Sequence, residues 1–451
     1  MFARIMPLRA LRQALAQRPV LARLPRVRTM AQVSKGSSSE TPIEATHEQW
    51  PRRIPDARLL AGGLKLWPEW QSVQRARQHR SLLPYFWLRD NCRCTRCVNQ
   101  DTMQRNFNTF EVPNDICPEK IVRIDKEGVT LQWPDHDGQT SHYNWDFLRF
   151  YMSADARTDL DDHVHFGAEV AANPPTVGYK EVMETEAGVA ELTRKIMKQG
   201  FVFVEGTPYD DPDKTRQLLE RIAFIRVTHY GGFYDFIPDL AMADTAYTNL
   251  ALPAHTDTTY FTDPAGLQAF HMLSHQPAPG ADPGATVSGG QSLLVDGFKA
   301  AAILQEEDFF AFRELARIRL PFHASGNKGI TITPYKMFPV LELKSANQVA
   351  RIRWNNDDRG VVPFGSKFNP SDWYKAARKF DSILRRKEME YWFQLEPGKV
   401  LIFDNWRVLH GRAAFTGIRR ICGGYINRDD FVSRYRNTNF TPEEVRDRVV
   451  G

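Results

Sequence analysis

The run Ala254-His255-Thr256-Asp257 sets an imidazole and a carboxylate two residues apart. In an extended segment such residues project to the same side, so both can reach one metal ion. A third ligand has to come from elsewhere in the chain. His410 supplies it, at the end of an apolar, strand-like run that begins at Val400 and passes through Phe403-Asp404-Asn405-Trp406-Arg407-Val408-Leu409. Two histidines and one carboxylate on one face leave the other coordination positions open, which is the arrangement of non-haem Fe(II) oxygenases. Arg419 lies about nine residues beyond His410 in the extended run Arg419-Arg420-Ile421-Cys422-Gly423-Gly424-Tyr425, and a returning strand brings it beside the metal. A permanently charged, forked guanidinium there holds a distal carboxylate through two parallel hydrogen bonds. 2-Oxoglutarate makes that demand at one end and chelates iron through its keto acid at the other. Arg420 is expected to face away. Each of these side chains taken singly has an ordinary reading as a core histidine, a turn aspartate or a surface arginine; the combination carries the inference.

A second cluster lies far upstream. Cys92, Cys94 and Cys97, within Trp87-Leu88-Arg89-Asp90-Asn91-Cys92-Arg93-Cys94-Thr95-Arg96-Cys97, can give three thiolates to one tetrahedral zinc, with a distant histidine as fourth ligand. His136, in the turn-rich Pro134-Asp135-His136-Asp137-Gly138, is the first candidate and His142 the second. Free thiols on a loop are the plain alternative. Five cysteines in 451 residues do not make a disulfide framework.

The elements that position these residues follow from pattern and composition. A chain of 451 residues, 42% hydrophobic and 12% aromatic, can bury a large catalytic domain and something smaller. No stretch approaches the ~18 apolar residues of a membrane span. The net charge of +5 is concentrated near the start, so it does not point to nucleic acid. Arginines at 4, 9, 12, 18, 23, 26 and 28, with no acidic residue before Glu40, have the composition of a mitochondrial transit peptide leading to the matrix. The expected division is a transit peptide and linker over 1–45, a small β domain carrying the zinc cluster over 50–150, and the catalytic domain over 174–451. Short strand patterns at 128–133, 201–206, 292–295 and 351–354, with helical patterns at 186–198, 214–224 and 373–393, predict a mainly β sandwich or barrel with flanking helices. The helix at 373–393 is either a cover for a sheet or a partner helix.

From about residue 84 onward the chain resembles the Fe(II)/2-oxoglutarate-dependent hydroxylases of carnitine biosynthesis, the γ-butyrobetaine and trimethyllysine dioxygenases. The resemblance rests on Trp87-Leu88-Arg89-Asp90 with the cysteines, Asp244-Thr245-Ala246-Tyr247-Thr248, the run from His255 to Phe261, Val295-Asp296-Gly297-Phe298, and Phe403 through His410-Gly411-Arg412. It implies a double-stranded β-helix (jelly-roll, taurine-dioxygenase-like) catalytic domain and iron on His255, Asp257 and His410. It further implies Arg419 and Ser292 on the 2-oxoglutarate carboxylate, structural zinc on the cysteines, ascorbate as auxiliary reductant, and a homodimer. The family's zinc histidine follows a Trp-Pro-Asp turn, which is longer here, with Gln139 standing where one alignment places the histidine.

Both family substrates carry a trimethylammonium group, which donates no hydrogen bonds and is held against aromatic faces. The resemblance puts Tyr230, Tyr234 and Tyr247 at those positions, Tyr234 where a tryptophan is more usual; Tyr260 follows the iron motif. Asp244 stands where γ-butyrobetaine enzymes carry a neutral amide, and it suits the α-ammonium of trimethyllysine. Thr258 and Thr259 and the basic leader point the same way. The expected reaction is therefore C3 hydroxylation of N6,N6,N6-trimethyllysine with O2 and 2-oxoglutarate, releasing succinate and CO2, the first step of carnitine biosynthesis. The alternatives are γ-butyrobetaine hydroxylation and a catalytically silent zinc-containing binding protein.

Overall fold

Two sheets packed face to face place the site. The computed structural model describes residues 56–67, 82–152, 162–237, 248–282, 284–345, 347–365 and 369–446, all within one compact unit spanning 53–451. The leader and linker expected over 1–45, and Asp244 and Tyr247, lie outside the described residues. The larger sheet has six strands in the order Thr176–Gly178, Phe201–Glu205, Lys399–Asp404, Leu267–Gln276, Ile418–Ile426, Tyr234–Phe236. The smaller has four, in the order Leu252–His255, Val408–Arg412, Ser292–Asp296, Tyr391–Phe393. All neighbours run antiparallel except Thr176–Gly178 beside Phe201–Glu205.

Alternation along the strands shows what each face meets. Phe201 and Phe203 join Leu401, Phe403 and Met272 from the large sheet and Leu294, Tyr391 and Val408 from the small one in a core between the sheets. Val202, Val204, Val400 and Ile402 point the other way, against the helices Glu186–Gln199, Pro212–Ile222 and Arg428–Asn439. Leu293, Val295 and Leu409 face the helices Gly297–Glu307, Phe309–Arg317 and Pro370–Leu384. Because both faces of each sheet are covered, the strands read as continuous apolar runs rather than as an alternation with polar residues. The architecture is the expected jelly-roll, mainly β with flanking helices.

Two expectations need correction. The apolar run from Val400 to His410 is not one strand: Lys399–Asp404 lies in the large sheet and Val408–Arg412 in the small one. Between them the chain turns, with Asp404 accepting from the backbone N–H of Trp406 through its side chain and from that of Arg407 through its carbonyl. Arg407 is fully buried in this turn and forms a bidentate pair with Asp296 (Nη2 to Oδ2 2.7 Å). The helix expected over 373–393 is Pro370–Leu384, capped by Asn369 and begun by Pro370. It ends at Arg385, and Tyr391–Phe393 is a separate strand beside Ser292–Leu294. Its Trp373, Ala376, Ala377, Phe380, Ile383 and Leu384 are spent on covering the small sheet, so it is an amphipathic cover and not a free partner helix.

Upstream, Lys120–Ile124, Gly128–Gln132 and Thr140–Asn144 form a three-stranded sheet. The hairpin between the last two carries a short 3-10 turn, Pro134–His136, closed by Asp137 in the left-handed region (φ 47°).

Candidate active site

His255 and His410 are direct cross-strand partners on neighbouring strands of the small sheet, with ring centroids 4.3 Å apart. Asp257 follows just past the strand end, and its Oδ1 lies 3.2 Å from His255 Nε2 and 3.8 Å from His410 Nε2. Metal bonds of ~2.1 Å at right angles separate neighbouring donors by roughly 3 Å, so this spacing suits one octahedral ion. Ring orientation is fixed differently for the two histidines. His255 Nδ1 donates to the carbonyl of Pro253 (2.8 Å), which turns Nε2 toward Asp257. His410 packs against the Phe270 and Phe403 rings, with centroids 5.6 and 4.9 Å away, and its Nδ1 has no hydrogen-bond partner among the described residues.

Charge follows position. Burial opposes ionisation of Asp257, but His410 and His255 hold its carboxyl far below the usual range, so it is an anion. Burial, with His255 beside it, pushes His410 down to about 3, so it is a neutral donor. Burial also opposes the charge on His255, yet the hydrogen bond and charge of Asp257 raise its pKa overall. An anionic carboxylate oxygen within 3.8 Å of both imidazole Nε2 atoms fits a divalent iron.

Asp257 is held at its backbone and at its outer oxygen by residues the sequence did not single out. Asn405 accepts from Asp257 N–H (2.8 Å) and donates to the Asp257 and Ala265 carbonyls (3.0 and 2.9 Å). Gln268 Nε2 and the Tyr425 hydroxyl donate to Asp257 Oδ2 at 2.6 and 2.8 Å. Thr258, at φ 58°, turns the chain sharply just after the ligand, and its hydroxyl accepts from Ala265 N–H (2.8 Å). A β-branched residue rarely adopts that conformation. One signal in the sequence points to Tyr425: strand alternation from Arg419 puts Ile421 and Tyr425 on the same face. Asn405 lies in the matched run from Phe403 to His410, which marks the position but not its role, and Gln268 carries no local mark.

The three metal-type ligands line one cavity with Arg419, Ser292, Tyr230, Tyr234 and Tyr260. Arg419 is 4% exposed, and its Nε and Nη1 have no hydrogen-bond partner among the described residues. It lies against the Phe415 ring, 5.1 Å from the centroid. Burial, with Arg412 adding to it, lowers its pKa to about 10, so it keeps its charge at neutral pH. A buried guanidinium with N–H groups unmet by protein is built for an anion. Arg420 faces away, as expected, and pairs with Asp235 on the surface (2.6 Å). The glycine turn before Ser292 lets Arg419 approach: a Cβ on Gly290 (φ +75°) would lie 3.2 Å from Arg419 Nη1. Arg412, also missed by sequence reasoning, lines the cavity and donates to the carbonyls of Thr248 and Leu250.

The second cluster comes together as well. Cys92, Cys94, Cys97 and His136 offer ligand atoms that all lie within 4.8 Å of one another, and His136 Nε2 is 3.6 Å from Cys92 Sγ and 3.2 Å from Cys97 Sγ. A tetrahedral zinc with ~2.3 Å bonds to sulfur needs separations of about 3.8 Å, so the donors fit it. His142 is not among them; its Nδ1 is 3.0 Å from the Thr130 hydroxyl. Gln139 stands beside Cys94, with its oxygen 3.9 Å from the thiol. Asp135 bonds His136 Nδ1 (3.0 Å) and is gripped by Arg89 (Nη2 to Oδ2 2.7 Å), which orients the imidazole. Hydrogen bonds from Cys97, Ser141 and His136 hold the Cys92 thiol well below its usual range against the effect of burial.

A jelly-roll whose inner face carries two histidines, a carboxylate and a buried arginine is the equipment of an Fe(II)/2-oxoglutarate dioxygenase. Residues 157–425 match the taurine catabolism dioxygenase TauD, TfdA family, and residues 70–149 match the gamma-butyrobetaine hydroxylase-like N-terminal region. The chain belongs to this dioxygenase family. It is 58% identical to a Neurospora crassa protein named trimethyllysine dioxygenase, over 97% of this chain and 98% of that one. It is 38% identical to a Bos taurus protein named trimethyllysine dioxygenase, mitochondrial, over 78% and 82% of the two chains. Similarity to human gamma-butyrobetaine dioxygenase is lower, 28% over 80% and 92%.

Proposed function

We propose that this chain hydroxylates N6,N6,N6-trimethyllysine at C3, the entry step of carnitine biosynthesis. The observation that carries the reading is a buried Arg419, whose Nε and Nη1 meet no acceptor among the described residues, facing the same cavity as His255, Asp257 and His410, in a chain 58% identical to a relative named for that activity. His255, Asp257 and His410 hold ferrous iron, and Arg419 with Ser292 holds the far carboxylate of 2-oxoglutarate. When bound, iron supplies the oxidising chemistry: O2 and 2-oxoglutarate are consumed, succinate and CO2 leave, and one oxygen atom enters the substrate C–H bond. Ascorbate keeps the metal ferrous. The protein orients these reactants and excludes water from them.

Tyr230 and Tyr234 line the cavity and offer ring faces to the trimethylammonium group. The family resemblance assigns Tyr247 to that cage and Asp244 to the α-ammonium. Cys92, Cys94, Cys97 and His136 hold a structural zinc in a small domain over 50–150, ahead of the catalytic domain over 174–451. The acid-free, arginine-rich stretch before Glu40 and the mitochondrial names of mammalian relatives support a transit peptide over 1–45 and a matrix location. The family resemblance adds a homodimer as the working form.

Succinate release with Fe(II), 2-oxoglutarate and ascorbate tests the reading when trimethyllysine and γ-butyrobetaine are compared side by side. Turnover with trimethyllysine well above that with γ-butyrobetaine is expected. Preference for γ-butyrobetaine moves the assignment to the other branch, and no substrate-dependent succinate with either removes it.

A further inference from the structure

We propose that Tyr425 and Gln268 are positioning residues that keep Asp257 a one-oxygen ligand, so that the metal retains the open positions the reaction needs. The inference rests on the reading above, in which Asp257 binds iron. Gln268 and Tyr425 are direct cross-strand partners in the large sheet, so their side chains leave the same face together. They reach across the core to Asp257, which comes from the end of the small sheet. Both donate to one atom: Gln268 Nε2 is 2.6 Å and Tyr425 Oη 2.8 Å from Asp257 Oδ2. The other oxygen, Oδ1, is the one facing His255 and His410.

A carboxylate can bind a metal through one oxygen or two. Two-oxygen binding by Asp257 would draw Oδ2 away from both donors, leaving the buried Tyr425 hydroxyl without its acceptor and Gln268 Nε2 with only the longer contact to Tyr425 Oη. Gln268 and Tyr425 are 2% and 7% exposed, so water would not readily replace the lost acceptor. The amide can only stand one way round, since its oxygen would otherwise meet the carboxylate. Among the described residues its Oε1 has no partner, and the hydrogen bonds of the Gln268 side chain run to Asp257 and Tyr425 (Nε2 to Tyr425 Oη 3.5 Å). Asn405 meanwhile fixes the Asp257 backbone on both sides, leaving rotation of the carboxylate as the remaining freedom. Tyr425 and Gln268 remove it. A vacated Oδ2 would take a position that the keto acid or O2 must use.

The experiment uses the full chain loaded anaerobically with Co(II), comparing Tyr425→Phe and Gln268→Met with wild type. The Co(II) ligand-field spectrum reports coordination number, and its change on titration gives the affinity for 2-oxoglutarate. Both variants should bind Co(II) about as well as wild type, show a ligand-field spectrum altered from wild type before 2-oxoglutarate is added, and bind 2-oxoglutarate roughly 10-fold more weakly. Circular dichroism should be unchanged, because Tyr425→Phe removes one oxygen and Gln268→Met keeps the side-chain length. Wild-type spectrum and 2-oxoglutarate affinity in both variants would overturn the proposal. So would loss of Co(II) affinity in step with 2-oxoglutarate affinity, which would mean that the pair merely holds Asp257 in place. Failure of the wild-type chain to bind Co(II) would instead remove the iron-site reading itself.

Discussion

The Cys92–Cys94–Cys97–His136 cluster and the His255–Asp257–His410 cluster each gather their donors within 4.8 Å of one another but finish their sites differently. In the first, four donors close on one point, Cys92, Cys97 and His136 are buried, and Arg89 and Asp135 brace the imidazole from behind. Four donors saturate a tetrahedral ion and leave no place for a reactant. In the second, three donors sit on one side, and on the other is a cavity that also holds Arg419. A closed donor set holds a fold together; an open one exposes a metal to chemistry. The difference lies less in the ligands than in what stands opposite them.

Substitutions separate the two roles. His255→Ala should lower trimethyllysine turnover by roughly 1,000-fold or more and leave the thermal midpoint within about 5 °C of wild type, as read by succinate assay and calorimetry. Cys97→Ser should do the reverse in kind: zinc content measured by mass spectrometry falls, and the thermal transition drops by several degrees or splits, because bound metal contributes folding free energy. A Cys97→Ser chain that kept its zinc and its midpoint would erase the contrast. Arg419→Met should raise the KM for 2-oxoglutarate roughly 100-fold, about 3 kcal/mol for a lost two-point ion pair, with little change in the KM for trimethyllysine; Arg419→Lys should fall between.

The smallest effect concerns the turn that feeds His410. Asp296 is buried against Arg407. Burial opposes its charge, but the charge and hydrogen bonds of Arg407 hold its carboxyl below the usual value. A depressed folded value adds stability that is fully present above the unfolded value of ~3.9 and is lost as pH falls through the folded one. Acid unfolding of wild type should therefore be steeper than that of Asp296→Asn below about pH 4, by at most ~1.4 kcal/mol per pH unit, the value of one proton. Equal slopes would show that this pair does not set the acid limit of the turn.

Sequence spacing revealed the groups that act as ligands or carry a lasting charge. His-x-Asp, the histidine after the Asn-Trp-Arg run, the arginine on the returning strand and the tight cysteine triplet are local patterns, and a ligand's chemistry demands its residue type. Turn chemistry pointed to His136 ahead of His142, and the structure brings His136 alone of the two to the sulfurs. What stayed hidden depends on register. Gln268 meets Asp257 because it stands opposite Tyr425, and Asn405 because the chain turns between two sheets at a run that reads as one strand. Residues 385–393 continued the helical pattern in sequence, yet the helix ends at Arg385 and Tyr391 enters the core between the sheets.

Isotope labelling tests the central claim most directly. Turnover of trimethyllysine under 18O2, followed by mass spectrometry of both products, should place one labelled oxygen in 3-hydroxytrimethyllysine and one in succinate. Unlabelled hydroxyl, or labelled succinate formed with no hydroxylated trimethyllysine, would contradict the account.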